Sequence, residues 1–310
     1  MDVLVGYTGF VGQNLNAQHK FTHVYNSKNI MDAYGMKPDL CVYSGIRSEK
    51  FRADNFPNED SVHVKNAIEN IGQIAPKRLV LISTVDVLPA VQHANIYEDT
   101  PYDTEALTPY GKHRLFLENE VRRLFPHTLI IRLPALFGKG LKKNFIFDMI
   151  NYVPAMLKKP KFEELMAIEA SLADFYQVDE SGFYRLNVSI EKDEKNRLKC
   201  VFTNLRFSAL DFTDSRSAFS FYNLKYLWRH IEILLENNIK LAHMAIETIC
   251  ASEIYEAVYD TTFVNEVQVA PFDYHFFKTR YGKMLGGSED YIFDKNTVKT
   301  EISDFIKNQM

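Results

Sequence analysis

The chain has 310 residues, of which 46% are hydrophobic and 25% are charged, and its formal net charge at pH 7 is −4. This length suits two domains, or one domain with a large appendage, and the slight negative charge argues against a nucleic-acid partner. No apolar stretch approaches the roughly 20 residues of a membrane span, and no signal peptide is recognisable. We therefore expect a cytoplasmic protein without a membrane partner.

The N-terminal segment combines a short strand with three closely spaced glycines. Residues 3–5 are an apolar run typical of a buried strand, and Gly6, Gly9 and Gly12 separate it from a helix-compatible stretch. The first glycine permits a tight turn, the second lets backbone N–H groups approach a pyrophosphate, and the third lets the helix pack closely on the strand. The N-terminus of that helix directs its positive dipole end at the phosphates. The pattern predicts a dinucleotide-binding site that comprises Gly6, Thr8, Gly9, Phe10, Val11 and Gly12.

Strand-like and helix-like segments alternate through the first half of the chain. Several of the predicted strands are apolar runs, as expected when helices cover both faces of a sheet. The predicted strands lie at residues 2–6, 22–26, 40–44, 79–83 and 129–133. This alternation predicts an α/β fold with a doubly wound parallel sheet. Residues 1–140 would form this Rossmann domain, with returning segments near residues 219–245.

From residue 141 the pattern changes, and we predict a smaller α+β substrate-binding cap over residues 141–310. Residues 141–168 have helical spacing, whereas residues 172–213 alternate charged with aromatic or β-branched side chains and predict inserted antiparallel hairpins. The charged run 191–197 would be an exposed hairpin tip. Helical spacing recurs in two later segments, near residues 223–237 and after a capping Asp294.

Candidate catalytic residues follow the fourth predicted strand and begin the next predicted helix. Polar residues at the carboxyl end of a parallel strand face the crevice where such sheets bind ligands, and Ser83, Thr84 and Asp86 occupy that place. Tyr110 and Arg114 are one helical turn apart, so the cation would lie beside the phenol. Its charge would lower the pKa of Tyr110 toward the range that suits general acid–base chemistry.

These segments resemble the extended short-chain dehydrogenase/reductase family of NAD(P)-dependent nucleotide-sugar epimerases, dehydratases and reductases. Residues 6–12 match its glycine motif, residues 83–87 its Ser/Thr segment, and Tyr110 the tyrosine of its YxxxK motif. The resemblance implies a homodimeric enzyme that binds NAD or NADP and a nucleotide sugar. It implies catalytic roles for Thr84, Tyr110 and Arg114. It also implies cofactor contacts at Ser44, Gly45, Ser83, Tyr110, Arg114 and Pro134, and substrate contacts at Asp86 and Asn144.

The sequence departs from the family pattern at three places, one of which is Ala135, where the family often has an asparagine that contacts the substrate. Arg114 stands where the family has lysine, and because arginine is planar and never deprotonates, its contact with a cofactor ribose need not be equivalent. The second strand ends in Asn26, Ser27 and Lys28, which we assign to the cofactor site. An acidic residue for a ribose 2′-hydroxyl is missing there, which favours NADP slightly.

The alternative to an enzyme is a catalytically decayed relative that binds NAD(P) as a sensor or scaffold. A metal site is not expected, because the nine histidines form no metal-binding pattern.

Overall fold

The computed structural model describes residues 1–90, 95–180, 182–187 and 190–309, with only the backbone at Lys192. The chain divides into two compact units. The first comprises Met1–Leu141, Ala218–Ile249 and Asp273–Glu301, and the second comprises Lys142–Ser217, Cys250–Phe272 and Ile302–Met310. The first unit thus includes residues 273–301, which the sequence pattern assigns to the cap.

Strands and helices alternate along most of the chain. The strands are β1 (Asp2–Val5), β2 (His23–Tyr25), β3 (Leu40–Tyr43), β4 (Leu79–Thr84), β5 (Leu129–Leu133), β6 (Ala135–Phe137), β7 (Met156–Lys158), β8 (Tyr176–Val178), β9 (Phe183–Leu186), β10 (Ala218–Phe219), β11 (Phe221–Asn223), β12 (Leu241–His243) and β13 (Ile249–Cys250). The helices are α1 (Phe10–Gln18), α2 (Lys50–Asn55), α3 (Pro57–Ile74), α4 (Pro109–Leu124), α5 (Phe145–Ile150), α6 (Lys159–Met166), α7 (Lys192–Asn204), α8 (Leu227–Glu236), α9 (Ala251–Tyr259) and α10 (Lys295–Lys307).

A six-stranded parallel sheet forms the centre of the first unit, in the order β2-β1-β3-β4-β5-β12. This confirms the doubly wound α/β fold, and each of the five predicted strands matches to within one residue at either end. The chain moves from β1 outward to β2 and then returns to the other side of β1 at β3. Open parallel sheets bind ligands at such a reversal, beyond the carboxyl ends of the strands.

One apolar core joins a face of the sheet to helices α3 and α4. Val3, Val5 and Leu81 of the sheet are buried with Val64 and Ile71 of α3 and with residues of α4. Helix α1 contacts α8, where the His19 ring stacks on Trp228 at 3.9 Å. Within the described ranges, no helix has both the length and the apolar character needed to cross a membrane.

The second unit has an apolar core of its own. Two of the sequence predictions made for this unit are wrong. Residues 141–168 are two short helices separated by a strand, because Asn144 caps α5 and Pro160 lies in the first turn of α6. Strand β9 pairs antiparallel with β7 and β8, as a hairpin requires.

The charged run 191–197 does not form a hairpin tip, and the strand expected after it is wrong. Helix α7 begins there with a capping box in which the Glu191 side chain accepts from the backbone N–H of Glu194 and the Glu194 side chain accepts from that of Glu191. Leu198 and Phe202 lie one helical turn apart and are both fully buried in the core of the second unit. In the sequence, the apolar residues of this segment alternate with polar ones as in a strand. The capping box and the four-residue spacing of Leu198 and Phe202 instead favour a helix.

Candidate active site

The glycine motif forms a tight turn at the reversal point of the sheet. Gly6 has a φ of +92°, and a Cβ there would lie 2.7 Å from the backbone of Ser44, which follows β3. A Cβ at Gly12 would lie 2.1 Å from the Gly6 carbonyl oxygen. Side chains at Gly6 and Gly12 are therefore excluded, because the backbones after β1 and β3 and the first turn of α1 are in close contact.

Helix α1 presents its N-terminus beside this turn. Gly9 is the N-cap and gives the helix no side-chain cap. The first N–H groups of a helix, here those of Phe10, Val11 and Gly12, have no acceptor within the helix. A Cβ at Gly9 would be 3.3 Å from the Gly6 carbonyl oxygen, and both Thr8 and Gly9 are exposed. This arrangement fits a phosphate group, which the helix dipole also favours.

The segments on either side of this turn lie at the ends of β2 and β3. The Asn26 side chain accepts a hydrogen bond from the Lys28 N–H at 2.9 Å, and Ser27 and Lys28 are exposed. The Ser44 hydroxyl donates to the Val5 carbonyl at 2.9 Å, and Gly45 beside it is exposed. Because β1 lies between β2 and β3, both segments flank the glycine turn.

Tyr110 and Arg114 are on one face of α4, as predicted. The guanidinium carbon of Arg114 lies 4.3 Å from the centre of the Tyr110 ring. The guanidinium is only 3% exposed and makes a bidentate ion pair with Asp60, at 2.9 and 2.8 Å. A further bond of 2.7 Å goes to the Arg47 carbonyl, whereas Nε is buried without a partner in the described chain. Arg114 is therefore fixed by Asp60 and lies against the phenol.

The expectation that Arg114 lowers the pKa of Tyr110 is wrong in its net direction. Burial raises the pKa of Tyr110, and the opposing effect of the Arg114 charge is smaller. Only 5% of Tyr110 is exposed, so the phenolate loses most of its hydration. The tyrosine therefore remains protonated at neutral pH in the cofactor-free protein.

Thr84 ends β4 and is linked to Asp86 and Lys50. Its hydroxyl donates to Asp86 Oδ2 at 3.1 Å and accepts from the Asp86 N–H at 3.1 Å. Asp86 Oδ1 is 2.5 Å from the Lys50 ammonium at the start of α2. The family resemblance assigns Asp86 to the substrate, and the structure shows it engaged by Thr84 and Lys50.

Gly111 allows α4 to approach the turn after β4. A Cβ at Gly111 would lie 2.4 Å from the Asp86 carbonyl oxygen. The N-terminus of α4 is capped by Thr108, and Asp54 accepts a further bond from the Tyr110 N–H at 2.9 Å. These contacts hold Tyr110 beside the turn that carries Asp86.

Three other predicted site residues have different surroundings. The Ser83 hydroxyl donates to Glu118 at 2.6 Å, and Glu118 is fully buried in an ion pair with Arg132. The proton of the Ser83 hydroxyl is thus committed to this buried pair. Pro134 is buried after β5. Asn144 belongs to the second unit, where its side chain accepts from the Phe147 N–H at 3.1 Å.

Sequence analysis missed Lys50, Asp54, Asp60 and Tyr274. The pKa of Tyr274 is raised to about 12, mainly by burial and also by the Asp86 charge, against a smaller lowering by Lys50. Tyr274 therefore belongs to the same electrostatic cluster. None of these residues lies in a recognisable motif. The ion pair between Lys50 and Asp86 joins residues 36 positions apart, and that between Asp60 and Arg114 joins residues 54 positions apart.

The whole chain has the fold of solved nucleotide-sugar enzymes. A dTDP-4-dehydrorhamnose reductase from Yersinia enterocolitica is 14% identical and matches 100% of this chain and 99% of its own with a TM-score of 0.63. Such a reductase from Bacillus anthracis, in complex with NADP, is 13% identical and matches 99% and 97% with a TM-score of 0.62. A UDP-N-acetylglucosamine 4-epimerase from Methanobrevibacter ruminantium, in complex with UDP-N-acetylmuramic acid, is 11% identical and matches 100% and 98% with a TM-score of 0.63.

At these identities the similarity shows the fold alone. No protein-family model matches the sequence, and no curated protein does.

Proposed function

We propose that the protein is an NAD(P)-dependent enzyme of the extended short-chain dehydrogenase/reductase family that acts on a nucleotide-activated sugar. The observation that carries this proposal is the position of Thr84 and Tyr110. Both belong to the unit that contains the glycine turn, Thr84 at the end of β4 and Tyr110 in the first turn of α4, which packs on the turn after β4. A hydroxyl and a phenol beside a dinucleotide cradle suit proton transfer at a substrate oxygen.

The first unit would hold the cofactor. The N–H groups of residues 10–12 would bind its pyrophosphate, and Ser44 and Gly45 would lie beside it. The buried Nε of Arg114, which lacks a protein acceptor in the described chain, would be satisfied by a ribose hydroxyl. Bound NAD(P) would supply or accept the hydride.

NADP is the cofactor that we favour. Asn26, Ser27 and Lys28 follow β2, and the exposed Lys28 carries a positive charge where enzymes selective for NAD place an acid. A 2′-phosphate would find a cation there.

Tyr110 would act as the proton donor to the substrate oxygen and, in the reverse direction, as its acceptor. Its raised pKa keeps the proton on the phenol before the reaction, and the Arg114 charge would stabilise the phenolate that forms. Thr84 would orient the substrate beside it. The family resemblance assigns Asn144 to the nucleotide sugar, and we expect a homodimer, which light scattering would test.

The test has two stages. Binding of NADPH and NADH to the purified protein is measured by nicotinamide fluorescence, and nucleotide sugars are then screened for turnover. Tyr110→Phe should bind the cofactor as tightly as the wild type and lower kcat by roughly 10²- to 10⁴-fold. Tyr97→Phe, which removes a hydroxyl bonded to Asp290, serves as the matched control.

Failure to bind either cofactor would contradict the proposal at its base. Cofactor binding without turnover of any nucleotide sugar would instead favour the sensor or scaffold.

A further inference from the structure

Lys50 forms an ion pair at the site that the proposed mechanism does not use. Its Nζ lies 2.5 Å from Asp86 Oδ1, and the Lys50 and Asp86 side chains are 43% and 21% exposed. Partial burial lowers the pKa of Lys50, but Asp86 and neighbouring acidic groups raise it by more, so the pKa is raised overall. The ammonium therefore stays charged and keeps one carboxylate oxygen occupied.

The other oxygen of Asp86 fixes the direction of the Thr84 hydroxyl. A threonine hydroxyl has one proton and two acceptor positions. The proton is directed at Asp86 Oδ2, and one acceptor position receives the Asp86 N–H, each at 3.1 Å. One acceptor position remains, and Thr84 has no proton left for a ligand.

We propose that Lys50 is a positioning residue which, through Asp86, holds the Thr84 hydroxyl as a hydrogen-bond acceptor for a hydroxyl group of the substrate. Thr84 would then bind an alcohol oxygen and would not donate to a carbonyl oxygen. The donor to a carbonyl would be Tyr110 alone. This inference rests on the proposed function for the identity of the substrate, but the effect of Lys50 on Thr84 concerns the protein itself.

The kinetic test removes the ammonium of Lys50 and keeps a side chain of similar length. Lys50→Met should lower kcat about tenfold or more, because a misdirected hydroxyl loses its orienting effect, while KM changes less than about twofold. Lys50→Arg should restore kcat to within about threefold of the wild type. Lys77→Met is the matched control, since Lys77 forms an exposed ion pair with Asp39 and should leave both constants unchanged.

A double-mutant cycle tests whether Lys50 acts through Asp86. Asp86→Asn and the double variant Lys50→Met/Asp86→Asn should have the same kcat, because without the carboxylate the ammonium has nothing to hold. Additive effects, or a raised KM with unchanged kcat in Lys50→Met, would overturn the proposal, since Lys50 would then act on the substrate directly.

A measurement on the substrate-free protein separates this inference from the proposed function. In a threonine methyl NMR spectrum, the Thr84 signal is identified by its loss in Thr84→Val. Lys50→Met should change the chemical shift of that methyl group and average the three-bond coupling that reports the χ1 angle of Thr84. Lys77→Met should change neither. An unchanged Thr84 signal in Lys50→Met would refute the inference. If the NMR result is as expected but no nucleotide sugar reacts, only the proposed function fails.

Discussion

Arg114 shows how one substitution in a motif changes the surrounding contacts. A lysine has a single cationic nitrogen, whereas the planar guanidinium of Arg114 bonds both oxygens of Asp60 and the Arg47 carbonyl. Burial raises the pKa of Asp60, but its hydrogen bonds to Arg114 and His113 lower it by more. The arginine is therefore held by partners that match its fork, and it is not a simple replacement for lysine.

We expect Arg114→Lys to be both slower and less stable than the wild type. The ammonium can satisfy one contact at a time, so a buried carboxylate oxygen or the Arg47 carbonyl loses its donor. Loss of such charge-assisted bonds should lower the free energy of unfolding by about 2–3 kcal/mol, measured by urea unfolding. Turnover is measured on the same samples.

Arg123→Lys provides the control for that comparison. Arg123 pairs with Glu120 on the surface, where the arginine side chain is 65% exposed. The change should alter the free energy of unfolding by less than about 0.5 kcal/mol. A faster Arg114→Lys enzyme of unchanged stability would show that the partners of Arg114 do not matter.

Asp2 gives a pH-dependent contribution to stability. Burial raises its pKa, but hydrogen bonds from Thr22 and His19 lower it by more, from 3.8 to about 2. Because the pKa is lower in the folded state, this stabilisation is complete above the unfolded pKa and is lost as the pH falls from 3.8 toward 2. Asp2→Asn should lower the free energy of unfolding by about 1–2 kcal/mol at pH 7, discounted for partial exposure.

Urea unfolding of wild type and Asp2→Asn between pH 7 and pH 3 measures this difference. The difference should be constant down to about pH 5 and shrink below about pH 4. A difference that persists unchanged at pH 3 would show that the carboxylate charge is not its source.

At the scale of the elements, the contact between α4 and the turn after β4 positions the catalytic candidates. Gly111 follows Tyr110 and faces the Asp86 carbonyl with room for a hydrogen atom only. Gly111→Ala should push the start of α4 off this turn, lower the free energy of unfolding by about 1–3 kcal/mol and reduce kcat. Urea unfolding and turnover measure the two effects.

Gly72 in α3 is the matched control for Gly111. A Cβ at Gly72 would meet no atom within 4 Å. Gly72→Ala should therefore leave turnover unchanged and raise stability by up to about 1 kcal/mol, since alanine favours the helix. Equal effects of the two substitutions would mean that the close approach at Gly111 has no consequence for the site.

The elements also show which predictions a sequence supports. Strands β1, β3, β4 and β5 are predictable because each is largely an apolar run, and that pattern is local. Helix α7 is missed because its polar and apolar residues alternate over a short stretch, as in a strand, and burial against its own core decides the conformation.

For the candidate site, the motif residues are predictable and their partners are not. The glycine turn, Thr84 and Tyr110 follow from short spacings. Lys50–Asp86 and Asp60–Arg114 form only when α2 and α3 pack beside β4 and α4, so no short pattern contains both members of either pair. The expected net lowering of the Tyr110 pKa is wrong for the same reason, because burial outweighs the Arg114 charge and its extent depends on the whole fold.

At the scale of the whole molecule, cofactor binding should appear as thermal stabilisation. A ligand that binds only the folded state at about 100 times its Kd adds about 2.7 kcal/mol to the free energy of unfolding. For a protein of this size, that corresponds to a rise in Tm of several degrees. We expect this rise with NADPH, and a smaller one with NADH at the same concentration because Lys28 lies after β2.

Gly9→Val is the variant that tests the source of this stabilisation. Gly12 is unsuitable, since its Cβ would collide with the Gly6 carbonyl and unfolding would be confused with lost binding. Gly9 is exposed and has extended backbone dihedrals, so valine is tolerated better there than at Gly12, although its Cβ would make a tight 3.3 Å contact and should lower the Tm without cofactor slightly. Its side chain would occupy the phosphate position at the start of α1, and NADPH should then no longer raise the Tm. An undiminished rise in this variant would place the cofactor away from the glycine turn.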